Sequence, residues 1–449
     1  MLLKFHKIFA SIVEIGTSIA VKVSRGKEKA MTILFRAFLL GFLVAVPVNV
    51  IVVPGQSFAQ VLLQQSDLVY EGAFRVPTGK LGANQMVGFA FGGTALAYNP
   101  ANDSLFVVGH VYDQMTAEIG IPQIVDSNNR DNLRTANVLQ SFSDALEGNL
   151  EAVDPGEANG FRIGGQLVYG NQLYISDYTY YDADSTQVTS HFGRPLNLST
   201  HGQLKGPYRV GSAGAGFVSG YMTAIPAEWQ SSFGGPALTG NCCLSIISRT
   251  SLGPAASVFD PSDIGVENPV PATQVLGYPI DHPTLGTWGG DGSAHPIYNM
   301  STEVKGIVFP QGTSTVLFFG RTGLGTPCYG TGSDCGDPVD GSKGTHGYPY
   351  GYYAWAYDAN DLLAVKNNLK QPWEVVPYAS WAFDLPFGTG EARILGAAYD
   401  PANQRIFLSQ SGGDAYGLDP LPIIYAFRVN AAGGSGPTAP AAPTGLRLK

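Results

Sequence analysis

The sequence predicts an all-β chain, and within that class a five-bladed β-propeller built from four-stranded blades. Three observations carry this. The first is composition: only 14% of residues are charged, while 57 Gly, 30 Pro, 22 Tyr and 23 Phe suit many short strands joined by tight turns. The second is a phrase written twice. Ala97-Tyr98-Asn99-Pro100-Ala101-Asn102, followed by Leu105-Phe106-Val107, recurs as Ala398-Tyr399-Asp400-Pro401-Ala402-Asn403, followed by Ile406-Phe407-Leu408. Each copy reads as strand, Asx/Pro turn and strand. The third is the spacing of weaker echoes, which marks a repeat architecture.

Five units follow from that template. Their first runs are Gly93 to Tyr98, Gly164 to Tyr169, Ser219 to Pro226, Val304 to Pro310 and Ile394 to Tyr399. Their second runs centre on Phe106, Tyr174, Ile246, Phe318 and Phe407, at spacings of 68, 72, 72 and 89 residues. Third runs are Ala117 to Ile121, Gln187 to Phe192, Ala256 to Phe259, Tyr353 to Tyr357 and Ile423 to Val429. Fourth runs are Val138 to Phe142, Leu204 to Val210, Gln274 to Tyr278 and Val375 to Phe383, and the fifth unit lacks one. Leu68 to Val76 is a strand with no unit before it, so it is expected to complete the last blade and close the ring, which removes open sheet edges. Small residues such as Gly93, Ala95, Gly165, Gly220, Gly306 and Gly396 fit inner strands converging on a narrow channel. Six or seven blades are the alternative, should Asp260 to Met300 or Gly323 to Gly351 hide strands. The clearest helical periodicity lies over Asp358 to Leu369, with Asp358 or Asn360 as its cap.

The propeller is expected over 66–430. Residues 1–59 read as an export segment: Lys22, Arg25, Lys27, Lys29 and Arg36 precede an apolar stretch from Ala37 to Val53, then Ser57-Phe58-Ala59 before Gln60. Met31 is an alternative start, and an uncleaved anchor the alternative fate, although Pro47 and Asn49 interrupt the stretch. The reading is therefore of a secreted protein, or otherwise a periplasmic or anchored one, with no stable membrane insertion after cleavage. Removing that segment leaves 19 basic against 33 acidic residues, a net charge near −14. So acidic a domain argues against nucleic acid as a partner. Residues 431–449 form a Gly/Pro/Ala-rich linker whose end, Ala441 to Lys449, resembles the first strand of a fibronectin type III module.

Four cysteines in an exported chain are expected to pair. Cys328 and Cys335 enclose a Gly-rich loop; Cys242 and Cys243 are adjacent, so a vicinal bond competes with the two crossed connectivities.

Function in a propeller usually sits where second strands leave a blade. Those exits offer His110, Asp177, Arg249, Arg321 and Gln410, one per blade and expected at nearly the same register, with Arg162, Glu303, Glu391 and Arg393 at the first-strand entries. Arginines gathered at one face of an acidic body point to an anionic ligand held by forked hydrogen bonds: an acidic polysaccharide or a cell-surface partner. His346 or His110 is then the candidate base, and Tyr350 or Tyr178 the candidate acid. No cofactor is firmly implied; calcium is a candidate at Asp182-Ala183-Asp184 or at Asp334, Asp337 and Asp340.

The whole chain resembles a secreted β-propeller protein. The five-bladed architecture resembles that of propeller glycosidases, in which three inner-strand carboxylates divide acid, base and tuning roles; the resemblance implies Asp177, Glu303 and Glu391 for those roles. The chain departs from that pattern, because Gly88 to Gly93, opening the first inner strand, carries no aspartate. Cys242-Cys243 resembles the vicinal pair of some quinone-cofactor dehydrogenases, but their repeated Trp-Gly docking signature is missing from a chain with 5 Trp. The reading is a recognition module for an acidic glycan or surface partner, with a lyase or hydrolase acting on an anionic polysaccharide as the alternative.

Overall fold

The computed structural model describes residues 61–82, 88–156, 160–182, 184–243, 250–285 and 297–430. The chain divides into units 1–59 and 60–449, and everything described lies in the second. The export segment, the linker with its module-like end, Ala183, the run around Ile246 and Arg249 lie outside the described residues.

Five four-stranded antiparallel sheets form a five-bladed propeller. After β1 (Leu68–Arg75), blade 1 holds β2 (Thr94–Asn99), β3 (Ser104–Val108), β4 (Thr116–Gly120) and β5 (Val138–Ser143). Blade 2 holds β6 (Phe161–Tyr169), β7 (Gln172–Thr179), β8 (His191–Pro195) and β9 (Lys205–Tyr208). Blade 3 holds β10 (Met222–Ala224), β11 (Ala237–Thr239), β12 (Ala256–Phe259) and β13 (Ala272–Leu276). Blade 4 begins with β14 (Glu303–Val308) and β15 (Thr315–Gly323); a small hairpin, β16 (Cys328–Gly330) with β17 (Gly344–His346), interrupts it before β18 (Tyr350–Asp358) and β19 (Ala379–Phe383). Blade 5 holds β20 (Ile394–Asp400), β21 (Arg405–Tyr416) and β22 (Asp419–Val429), and β1 pairs with β22 from Leu68↔Val429 to Arg75↔Ile423. The N-terminal strand thus closes the ring as the missing fourth strand, and the insert in blade 4 is a flap on that blade rather than a sixth one.

The inner strands β2, β6, β10, β14 and β20 touch in that order around the channel. Their approach is close enough to demand glycine. A Cβ on Gly165 would lie 2.3 Å from the carbonyl oxygen of Gly220, and one on Gly306 would lie 2.5 Å from the Cβ of Ala397. The repeated phrase is the tip where an inner strand turns. The side chain of Asn99 accepts from the N–H of Ala101 at 3.1 Å, and that of Asp400 from the N–H of Ala402 at 2.9 Å, so both copies are Asx turns. Each is followed by a left-handed residue, Asp103 at φ 47° or Gln404 at φ 50°.

Blade 3 departs from expectation. Its second strand is Ala237–Thr239, earlier than the run around Ile246, and helix α1 (Ala227–Phe233) fills the turn between β10 and that strand. Trp229 and Phe233 anchor α1 in the core and Gly234 ends it in the left-handed conformation at φ 74°. A second short helix, α2 (Gly332–Cys335), lies in the blade 4 insert. The predicted helix appears as α3 (Ala359–Lys366), capped by Asp358, whose carboxylate accepts from the N–H of Asn360. Among the described residues no helix is long and apolar enough to cross a membrane.

Candidate functional site at the channel mouth

A bulge in the inner strand builds the mouth. The register slips between Ile163 and Gly165, between Val304 and Gly306, and between Ile394 and Gly396. The extra residue on each strand is unpaired and free to be re-aimed. Those residues are Gly164, Lys305 and Leu395, and all three line a cavity of about 250 Å³ at the second-strand exits.

The same bulge corrects the expected ring. Counted from it, Asp177 (opposite Ile163), Gln410 (opposite Ile394), Gly320 (opposite Val304) and Val108 (opposite Thr94) are equivalent. Arg321 therefore stands one residue beyond Asp177 and Gln410, and His110 two residues beyond Val108. Successive strand residues face opposite ways, so one step decides which side chain sees the channel. Tyr178 and Arg321, one beyond the shared register, line the cavity. Asp177 and Gln410 are fully buried away from it. Gln410 donates to the hydroxyl of Tyr352 at 3.1 Å and to the carbonyl of Ser411 at 2.9 Å. Neither carboxyl oxygen of Asp177 has a hydrogen-bond partner in good geometry; burial pushes its pKa well above the usual carboxylate range, only partly offset by the nearby N–H groups of Arg162 and Tyr178 and the charge of Arg162.

Glu303 is the electrostatic hub. Its carboxylate accepts from Arg321 at 2.5 Å and lies 3.8 Å from Arg393. Burial opposes its charge, but Arg321, then Arg393 and Lys305, outweigh burial and hold its pKa down at about 2. Arg393 also reaches Asp340 at 2.7 Å and Glu391 at 3.2 Å. Arg321 donates to the carbonyl of Glu391 at 2.9 Å and stacks 4.2 Å over the ring of Tyr350. Two of the predicted arginines are thus already engaged by carboxylates of their own chain.

The cations left to the cavity are others. Lys305 donates to the hydroxyl of Tyr178 at 3.3 Å and sits 5.0 Å over its ring. Burial works against the ammonium, yet Tyr178 and Glu303 raise its pKa overall. Arg162 donates to the carbonyl of Phe161 at 2.7 Å and lies 5.6 Å from the ring of Tyr112. Among the described residues Lys305, Arg162 and Lys343 make no ion pair, and all three line the cavity. Lys305 escaped the sequence reading because nothing in a strand pattern marks which residue a bulge releases; the signal available was Lys305-Gly306, a cation beside an inner-strand glycine.

His346 is buried. One ring nitrogen lies 2.8 Å from Asp337 and the other 3.1 Å from the carbonyl of Ser342, while Tyr350 donates to the same Asp337 oxygen at 2.6 Å. The three hold the blade 4 insert onto β18, and neither nitrogen of His346 is left for the cavity. His110 stands at the rim, its Nδ1 accepting from the N–H of Tyr112 at 3.2 Å. The cysteines pair as Cys242–Cys243 and Cys328–Cys335. Cys243 lines the cavity, at the exit of β11 where the ring reading had expected Arg249. Of the acids weighed for calcium, Asp182 accepts from Thr186, Asp334 accepts from the N–H of Thr331, the N-cap of α2, Asp337 binds His346 and Asp340 binds Arg393. Among the described residues no group of three His, Cys, Asp or Glu is arranged to hold a metal ion.

Fold and site together define a five-bladed propeller with a charged, partly self-neutralised mouth. No protein-family model matches the chain, and no curated protein does. Among solved structures, it is similar to a GH43 endo-arabinanase from Bacillus licheniformis, at 11% identity and TM-score 0.38, covering 78% of this chain and 95% of that one. It is similar also to an exo-1,5-alpha-L-arabinanase from a bovine ruminal metagenomic library, at 8% identity and TM-score 0.37, covering 75% and 94%. At these scores neither likeness bears on what the mouth of this chain binds.

Proposed function

We propose that this chain is an exported recognition propeller whose channel mouth holds a carboxylate-bearing unit of an acidic glycan. One observation carries the reading. Five cations (Arg162, Lys305, Arg321, Lys343 and Arg393) face two carboxylates (Glu303 and Asp340) in one cavity of an acidic protein. With Glu391 also paired to Arg393, a local excess of two positive charges remains, shielded by strand walls, and favours an anion of matching size. Glu303 holds Arg321 and Arg393 in fixed positions, and Lys305 and Arg162 supply the open donors. Tyr178 and Tyr180, also at the cavity wall, offer ring faces and hydroxyls suited to a sugar. The test is a screen of the full chain against polygalacturonate, alginate, hyaluronan and heparan sulfate by thermal shift and calorimetry. Saturable binding weakened by salt is expected; no binding to any of them overturns the reading.

A lyase is the second reading, favoured by the 3.3 Å contact of Lys305 with Tyr178. In such a reaction a base removes the proton beside the uronate carboxylate, the neighbouring carbon–oxygen bond breaks, a carbon–carbon double bond forms, and an acid protonates the departing sugar oxygen. Tyr178, as a phenolate beside the Lys305 ammonium, would take the proton, Lys305 would give its own to the departing oxygen, and the proton on Tyr178 would return to Lys305, with Arg162 neutralising the carboxylate. A hydrolytic carboxylate pair is less well served, since Asp177 is sealed from the cavity and Glu303 is tied to two arginines. Unsaturated sugar ends in the same screen distinguish turnover from recognition.

A further inference from the structure

Three aromatic rings stand in file between the rim and the cavity. The ring of Phe91 lies 5.7 Å from His110, edge-on at 77°, and that of His110 lies 5.6 Å from Tyr112. The guanidinium of Arg162, which lines the cavity, sits 5.6 Å from the Tyr112 ring. The outer rings face water: Phe91 is 53% exposed and Tyr112 78%. Leaving such surface in water forfeits burial free energy. Phe91 incurs a second cost, because its backbone lies at φ 52°, a left-handed conformation that a bulky side chain rarely adopts. Its N–H is held by the carbonyl of Pro420 at 2.8 Å, and Gly92 turns back onto the carbonyl of Phe89 at 2.9 Å. Strain and exposure together hold one ring out beside His110, as is common where a ligand, not the fold, is served.

We propose that Phe91, His110 and Tyr112 form a shelf of further subsites, on which an acidic oligosaccharide continues after its first charged unit enters the cavity. This inference rests on the cavity being an acidic-saccharide site. The C–H face of a sugar packs on an aromatic ring, while its hydroxyls need hydrogen-bond partners at the ring edges. The shelf has both: the Tyr112 hydroxyl, and the Nε2–H of His110, whose Nδ1 already accepts from Tyr112. Arg162 bridges shelf and cavity, placed to take a carboxylate from the unit that crosses between them. The ligand is therefore a chain, not a single sugar acid.

The full chain is titrated with galacturonate, trigalacturonate and hexagalacturonate, and in parallel with mannuronate oligomers of the same lengths. Affinity is expected to rise at least about tenfold from monomer to hexamer. Phe91→Gly should sharply reduce that rise and leave monomer affinity unchanged; Tyr112→Ala should abolish it, lowering monomer affinity far less through its lost contact with Arg162, while Tyr112→Phe keeps most of it. Phe91→Gly should also raise the thermal midpoint by relieving the left-handed strain, which separates lost function from lost folding. If the monomer binds but length adds nothing, or if the variants keep the full rise, the shelf is overturned and the cavity reading stands. Binding of no uronate of any length overturns the cavity reading, and the shelf falls with it.

Discussion

The side-chain amide of Asn99 donates to the carboxylate of Glu118 at 2.7 Å, and the corresponding pair in blade 5 has its charge moved onto the other partner. Phe106 pairs with Glu118 as Phe407 pairs with Ala426, and the repeated phrase aligns Asn99 with Asp400. Blade 1 thus holds its turn by a neutral Asn and a buried Glu118 that also accepts from Asn102, Ser104 and Gln140. Blade 5 holds the same turn by Asp400 alone, which accepts from the N–H groups of Ala402 and Asn403 and from the Asn403 amide. In each copy one carboxylate holds the turn's amide groups, Glu118 in blade 1 and Asp400 in blade 5.

Removing that carboxylate from blade 1 strands four donors. Glu118→Ala should therefore cost about 3 kcal/mol in denaturant unfolding. Asn99→Asp with Glu118 retained sets two carboxylates against each other and should also destabilise. The double substitution Asn99→Asp with Glu118→Ala reproduces blade 5 and should recover part of the loss. A double variant less stable than the sum of the two singles would show that the tips are not interchangeable.

Glu303 makes the fold acid-sensitive. Its pKa falls from the usual 4.5 to about 2, so its stabilisation is full above 4.5 and is lost as pH falls through about 2. Glu303→Gln leaves Arg321, whose side chain is 1% exposed, without its carboxylate, and should cost about 3 kcal/mol at neutral pH. Thermal midpoints against pH should show the native decline between those two values flattened in the variant. Parallel curves would place the acid sensitivity elsewhere.

Asp177 has the opposite sign. Its pKa is raised from 3.8, chiefly by burial, so the folded state binds the extra proton and this group's contribution worsens as pH climbs from 3.8 through the raised value. Asparagine keeps the shape and the neutrality of the protonated acid, with no charge to desolvate. Asp177→Asn should be more stable than the native chain at about pH 8, and the gain should vanish toward the usual carboxylate range. A variant equally destabilised at both ends of that range would mean that Asp177 has partners it cannot lose.

The blades, the closing strand and the capped α3 were legible because each rests on local signals: alternation, Asx turns and a helix cap. The second strand of blade 3 is not legible, since β11 follows α1 as a run of only 3 residues, too short for alternation to show, ahead of the longer apolar run around Ile246. At the mouth, residue types were readable and directions were not. Arg162, Arg321, Arg393 and Tyr178 do meet at one cavity, as grouping cations at strand entries and exits expects. Asp177 and Gln410 turn away from it because a one-residue bulge decides the facing, and a bulge leaves no mark in an alternating pattern beyond a glycine. The loop of His346 has the composition of a reactive one; only folding brings Asp337 and the Ser342 carbonyl onto both its nitrogens.

The bulge also supplies a clean test of the mouth. Lys305 and Leu395 hold the same position in blades 4 and 5, each the extra residue before an inner-strand glycine, and both line the cavity. The fold accepts a leucine there, so Lys305→Leu should leave the thermal midpoint within a few degrees of native. What it removes is the ammonium that touches Tyr178. If the mouth grips a carboxylate through Lys305, affinity for an acidic oligosaccharide should fall about ten- to a hundredfold. The salt dependence should shrink with it, because a screened charge contact has gone. Lys305→Arg should restore most of the affinity, while Leu395→Lys adds a cation at the symmetric position and should raise it. Calorimetry at low and physiological salt reads all three. Native affinity in Lys305→Leu with an undiminished salt slope would move the site away from the bulge, to the arginines that Glu303 already holds.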